Sequence, residues 1–267
     1  MSTTEIPAAL VKELRDQTGA GMMDCKRALV ETGGDLEAAR TLLRERGLAE
    51  AGKRAGRETS EGKVVSRVEG STGAVVAVGC ETEPVSNNEE FLAFAGSLLD
   101  RVAAEGPDAA GALEDERVEL VAKLGENILV VGAERYEAAE GEVVADYIHP
   151  PAAKIGVLVH ARSTPELARM VAMHVAAARP AYVTREDVPE AEVAAERAVY
   201  EKLPEVESKP EEVRGKIVEG MLGKRFFAVN VLLDQPWIHE PSLTVGQALA
   251  EHGAEVRAFV RYNVGRE

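Results

Sequence analysis

GKVVSRVEGSTGAVVAVGC, Gly62–Cys80, decides the fold. Two β-branched runs, Gly62–Val68 and Gly73–Cys80, flank Glu69-Gly70-Ser71-Thr72, a hairpin signal. Downstream, Asn88–Ala104 sets Phe91, Phe94, Leu98 and Val102 on one helical face. A second helix is expected over Leu113–Leu124, then a strand over Asn127–Tyr136. The same order returns. Gly141–Ile148 and Ala153–Ala161 predict another hairpin, with Pro150 and Pro151 at its turn. A helix follows over Pro165–Ala178, carrying Leu167, Met170, Val171, His174 and Val175. GKVV at Gly62–Val65 and GEVV at Gly141–Val144 open the two units alike. The expected core is two related α+β subdomains with antiparallel sheets, residues 62–140 and 141–267, packed side by side.

Upstream lies a different pattern. Leu10, Val11 and Leu14 form an apolar stripe, so Pro7–Gln17 is expected as helix with Pro7 in its first turn. Thr18-Gly19-Ala20-Gly21 stops it. Met22, Met23, Ala28 and Leu29 mark a second helix, ended by Gly33-Gly34. Asp35 suits the N-cap of a third, with Leu36, Ala39, Leu42 and Leu43 on one face. Three short helices make a bundle of the ubiquitin-associated type over residues 1–51. The charged stretch Ala49–Glu61 has no apolar periodicity and reads as a linker with residual helix at its start; residues 52–61 are assigned to it.

Toward the other end, Pro189–Leu203 is charged and helical, Pro204–Pro210 breaks it, and Glu211–Leu222 resumes. Few large apolar residues mark these helices, which suits a helical hairpin protruding into solvent over about residues 188–224. Thr244–His252 is expected as helix and Glu255–Val264, which alternates, as strand.

Composition narrows the function classes. Of 267 residues 45% are hydrophobic but only 4% aromatic, so the core is built from Val, Leu, Ala and Ile. The net charge of −15 opposes broad phosphate binding, so no direct nucleic-acid partner is expected. No apolar run approaches the roughly 18 residues of a membrane span. The N-terminal MSTTEIPAALVKEL lacks the basic start and apolar core of a secretory signal. Cys25 and Cys80 stand far apart; a disulfide between them stays open, but two isolated thiols favour a reducing compartment. The expectation is a cytoplasmic protein.

A catalytic constellation is missing from the sequence. His149, His160, His174, His239 and His252 form no HxxxH or HExxH pair. No phosphate-loop, dinucleotide or GxSxG pattern occurs. Glu81, Glu83, Glu89 and Glu90 cluster at a strand end, where a metal-dependent hydrolase could place acids. The plainer reading is a solvated loop and the acidic first turn of a helix. Lys53, Arg54 and Arg57 could touch RNA, but no aromatics interleave with them. The expectation is a protein that is not an enzyme, with no cofactor and no metal. A binding module for ubiquitin-like or ribosomal partners is the main rival reading.

Several segments together carry a family resemblance. LVKELRDQTGAGMMDCKRAL at Leu10–Leu29 closely resembles the N-terminal signature of bacterial elongation factor Ts, and GGDLEAARTLLRERG at Gly33–Gly47 continues it. ERVELVAKLGENI (Glu116–Ile128), IGVLV (Ile155–Val159) and MHVAA (Met173–Ala177) follow in the same order. QPWIHEPSLTVG (Gln235–Gly246) and EVRAFVRYNVG (Glu255–Gly265) complete it. The resemblance implies a guanine-nucleotide exchange factor that binds GDP-bound and nucleotide-free elongation factor Tu. It would displace magnesium and promote GDP release during translation elongation. It also implies sites. Leu10, Val11, Gly19, Ala20, Gly21, Met22 and Met23 match the family's docking surface for the nucleotide domain of Tu, with one methionine expected outside and one inside the bundle. Met173, His174 and Val175 match a helix placed near the Tu phosphate loop. Thr82-Glu83-Pro84-Val85 matches the loop that dislodges magnesium, where the family pattern is Thr-Asp-Phe-Val. Glu keeps the carboxylate on a longer arm; Pro removes the ring.

Overall fold

The computed structural model describes residues 6–265, the side chain of Glu50 excepted. The expected segments' outermost residues, 1–5 and 266–267, lie outside it. The chain runs α1 (Ala8–Thr18), α2 (Met22–Glu31), α3 (Leu36–Arg54), β1 (Glu61–Glu69), β2 (Thr72–Cys80), α4 (Glu83–Ser86) and α5 (Glu89–Glu105). It continues through α6 (Glu114–Leu124), β3 (Leu129–Glu137), β4 (Val143–Ile148), β5 (Ile155–Arg162) and α7 (Pro165–Ala178). Then come α8 (Glu190–Glu201), α9 (Pro204–Glu207), α10 (Glu211–Met221), α11 (Ala228–Asn230), β6 (Pro236–Trp237), β7 (Glu240–Thr244), α12 (Val245–Glu251) and β8 (Glu255–Asn263).

The fold is α+β: N-terminal helices, then a core of antiparallel sheets. One sheet has the order β1-β2-β3, the other β4-β5-β8, and β6 pairs with β7 in a small ribbon. The sheets face each other. Period-two alternation in β2 makes this possible. Ala74, Val76, Val78 and Cys80 point outward to α5 and α6, where Phe91, Leu98 and Val121 complete a core. Val75 and Ala77 point inward, onto Val144 and Leu158 of the second sheet. In β5 the alternation is the same: Leu158 faces inward, while Val157, Val159 and Ala161 face α7 and α12. The result is four layers, helices outside and two sheets inside. Gly73 permits the close approach: a Cβ there would lie 2.4 Å from Val144 Cγ1 and 3.1 Å from Leu158 Cδ1.

Caps fix the helix starts. Asn88 accepts from the backbone of Glu90 at 2.8 Å, Thr164 from that of Leu167 at 3.3 Å, and Asp35 from that of Ala38 at 3.0 Å. Thr244 and Gln247 form a reciprocal capping box on α12.

Three elements differ from the sequence expectations. Helix α3 runs on through Arg54, so the residual helix expected at the start of the linker is a regular, packed continuation. Tertiary packing holds it there: Ala51 is buried in the α5/α6 core, and Arg44 pairs with Asp115 of α6 at 2.6 Å. The proline-rich break between α8 and α10 is itself a helical turn, α9, because Pro204 is well placed at a first helical position. Its Val206 is fully buried among Tyr200, Val218 and Leu222, so the helical hairpin has a small core of its own. The ribbon β6–β7 was not foreseen, since Pro236 and Pro241 argue against strands.

Candidate functional site

The segment Thr82–Val85 leaves β2 at its end, with Thr82 as N-cap and Glu83–Val85 in the single turn α4. Thr82, Glu83 and Pro84 are exposed; Val85 is half-buried against the α5/α6 core. The turn is braced from the loop after α6. Glu126 Oε2 accepts from the backbone N–H of Glu81 at 3.1 Å and of Thr82 at 3.0 Å, and Glu126 Oε1 accepts from the Thr82 hydroxyl at 2.5 Å. Glu81 answers, accepting from Asn127 N–H at 2.7 Å, and Asn127 donates to the Arg57 carbonyl at 2.8 Å. Glu81 also pairs with Arg57 at 3.4 Å. These partners absorb the acid that the hydrolase reading needed. Among the described residues no group of three or more His, Cys, Asp or Glu side chains could hold a metal ion.

The loop joining α1 to α2 comes to the same edge. Gly19 adopts φ 65°, and a Cβ there would stand 2.6 Å from Lys123 Cε. Lys123 in turn pairs with Glu90, at the start of α5, at 2.6 Å. Gly19, the end of α6, and the α4–α5 corner are therefore neighbours. Met22 and Met23 are both exposed, at 48% and 63%. The expected division between them does not occur, because Cys25, Ala28 and Leu29 fill the bundle instead. Leu10 is half-buried and Val11 is buried, so of that pair only Leu10 presents surface. Ala20 is half-buried and Gly21 exposed.

Met173, His174 and Val175 lie elsewhere. Val175 is buried in the core under α7, while Val85 packs on the α5/α6 side, so both sheets separate the two segments. His174 is fully buried and cannot be a direct contact from this position; only Met173 is half-exposed. The imidazole is committed on both sides. Ile238 N–H donates to Nδ1 at 3.3 Å, which leaves the proton on Nε2, donated to Gln235 Oε1 at 2.8 Å. Gln235 Nε2 donates to the carbonyls of Ala178 at 3.2 Å and Val229 at 2.6 Å. This buried network ties α7 to α11 and to the ribbon, and Trp237 stacks on the imidazole at 5.2 Å.

Burial pushes the His174 imidazole below its ordinary 6.5, against the opposing pull of the Gln235 hydrogen bond; His239 pushes the same way as burial. Below about pH 6.5 the unfolded chain takes up a proton here that the folded chain refuses. The stabilisation is therefore complete above that pH and lost as pH falls toward the depressed folded value. His174→Gln should lower the melting temperature at pH 7.5, yet flatten its decline between pH 7.5 and 5.5. Equal slopes in the two proteins would sink the assignment.

The two thiols are structural. Cys25 and Cys80 are free and buried. Burial, reinforced by the nearby Glu126 carboxylate, pushes the Cys80 thiol up to about 12.

Sequence reasoning missed Glu126 and Asn127 as site residues, and weighed Arg57 only as a possible RNA contact. Both stand in GEN at Gly125–Asn127, inside a segment that carries the family resemblance but no role of its own.

A family model described as Elongation factor TS matches residues 81–266. Elongation factor Ts of Serratia proteamaculans (strain 568) is 44% identical over 266 residues, 98% of this chain and 92% of that protein. Elongation factor Ts of Escherichia coli (strain K12 / DH10B) is 44% identical over the same length, with the same coverage of each chain. On the family model and these full-length likenesses together, the chain belongs to the elongation factor Ts family.

Proposed function

We propose that this protein is a guanine-nucleotide exchange factor for elongation factor Tu, acting in the cytoplasm during translation elongation. It binds Tu·GDP, displaces the magnesium ion, and lets GDP leave. The observation that carries this reading is the braced turn with Thr82, Glu83 and Pro84 exposed, on an edge that the Gly19 loop also reaches through Lys123. Met22 and Met23, with Leu10 and the Gly19–Gly21 loop, supply adaptable docking surface on the nucleotide domain of Tu. The turn supplies the carboxylate of Glu83. Val11 and Val175 act by packing, and His174 holds α7 in place so that Met173 reaches the partner.

Linkage supplies the energetics. A factor that binds empty Tu more tightly than Tu·GDP must weaken GDP by the same ratio. A ten-thousand-fold effect takes about 5.5 kcal/mol of differential binding. No bond is made or broken, so the protein needs no catalytic group of its own. The residues of the turn suit an electrostatic displacement. Glu83 can compete for the ion's water shell or repel the nucleotide phosphates. Pro84 stands where a ring could have wedged, and fixes φ instead, keeping the turn stiff.

The test is stopped-flow release of a fluorescent GDP from Tu. Wild-type protein should accelerate release strongly. Glu83→Ala should slow it by about ten-fold or more while affinity for nucleotide-free Tu falls only a few-fold, since the carboxylate acts on the GDP-bound state. Pro84→Gly should slow it less, through lost preorganisation. Unchanged rates in both variants would remove the turn from the mechanism.

A further inference from the structure

A four-residue helical turn has little stability of its own, since helices this short do not persist unaided. Thr82, at the N-cap of α4, does not cap it: its hydroxyl is turned away, toward Glu126. Outside support is therefore needed, and three hydrogen bonds to one carboxylate supply it. Two of those come from consecutive backbone N–H groups, at Glu81 and Thr82, and the third from the hydroxyl. Charge-assisted bonds of this kind are roughly twice as strong as neutral ones. Glu126 reaches the turn across 44 residues of sequence, from a loop that begins at Gly125 with φ 75°. The bond from Asn127 N–H to Glu81 runs the other way, so the two loops hold each other.

We propose that Glu126 is the positioning residue of the exchange reaction: its carboxylate sets the shape in which Thr82–Val85 is presented to Tu. Glu126 need touch neither nucleotide nor magnesium. This rests on the reading of that turn as the magnesium-displacing element. Misplacing a reacting or contacting group by about 1 Å can cost ~100-fold in rate. The bracing therefore belongs to the rate of release rather than to the strength of docking, which the methionine surface carries.

The experiment uses the full chain as wild type, Glu126→Ala and Glu126→Gln. GDP release from Tu is followed over a range of factor concentrations, so that the limiting rate separates from the half-saturating concentration. Glu126→Ala should lower the limiting rate by about ten-fold or more, and shift half-saturation by less than about three-fold. Glu126→Gln should stay close to wild type. Its amide oxygen still accepts from the two N–H groups, and its NH2 can donate to the Thr82 hydroxyl oxygen. Amide hydrogen exchange at Glu81 and Thr82 should quicken in the alanine variant and remain slow in the glutamine one. The inference is overturned if Glu126→Ala releases GDP as fast as wild type. It is also overturned if the glutamine variant is as impaired as alanine while amide exchange at Glu81 and Thr82 stays slow in it, which would make the charge itself the contact. A general loss of melting temperature that lowers rate and affinity together overturns it as well. A wild-type protein that releases no GDP from Tu overturns the functional reading and this inference with it. Fast release by wild type beside equally fast release by Glu126→Ala overturns the inference alone.

Discussion

Replacing Met22 and Met23 together by alanine is expected to weaken binding to nucleotide-free Tu by about thirty-fold. Full burial of a methionine side chain is worth roughly 1.5–3 kcal/mol; Met22 is 48% and Met23 63% exposed, which leaves about 1 kcal/mol apiece to gain on docking. Two such losses make about 2 kcal/mol, or close to thirty-fold in affinity. The substitution should spare stability, because neither side chain belongs to the buried cluster of Val11, Leu14, Cys25, Ala28 and Leu29. Alanine also favours helix slightly over methionine. Isothermal titration onto nucleotide-free Tu, beside a thermal melt, reads both quantities. An unchanged dissociation constant would mean that the partner approaches some other face. A fall in affinity that tracks a fall in melting temperature would mean that the bundle had been damaged.

Leu158→Ala should be the most destabilising of the substitutions considered, by about 3–5 kcal/mol. Leu158 is fully buried between the two sheets, beside Val64, Val75, Ala77 and Val144. Opposite it stands Gly73, whose missing side chain is the space that Leu158 and Val144 occupy. Truncation would leave a cavity walled by strands of both sheets. Those strands are held in register by their ladders, Leu158 itself lying between Asp146 and Val260, and cannot collapse to fill the gap. For a chain of this length the loss corresponds to about 6–20 °C in melting temperature. A cost below about 1 kcal/mol would show that the inter-sheet layer yields more than close packing allows.

Most of the fold was legible because its signals are local. β-Branched runs with a turn between them gave the hairpins, and Asn88 and Asp35 announced their helices before the apolar stripe began. The elements that escaped depend on distant partners. Helix α3 continues past Leu48 because Ala51 finds the α5/α6 core, a contact no window of neighbouring residues contains. The ribbon at Pro236–Thr244 is stabilised by its pairing in spite of its prolines. For the site, the positions of Glu83 and Met22 came from family likeness, while their exposure came only with the structure. His174 illustrates the limit. Its spacing from Leu167, Met170 and Val171 sets it on the apolar face, where it is buried, while the family likeness alone had pointed to the partner. Glu126 was invisible, being one acid among 46 acidic residues until its hydrogen bonds singled it out.

The sharing of β2 and β5 between layers has a thermodynamic consequence. Each strand contributes alternate side chains to two different apolar clusters, and the inward cluster belongs to both sheets at once. Losing one sheet therefore strips the other of its inner face, so neither has a stable half-folded form to stop at. Such coupling makes the sandwich melt as one cooperative unit even though its two halves arise from separate stretches of chain. The calorimetric scan that reads Leu158→Ala should then give a single endotherm for the core, its van't Hoff and calorimetric enthalpies in agreement. Damage at this layer would lower the temperature of that one transition without splitting it in two.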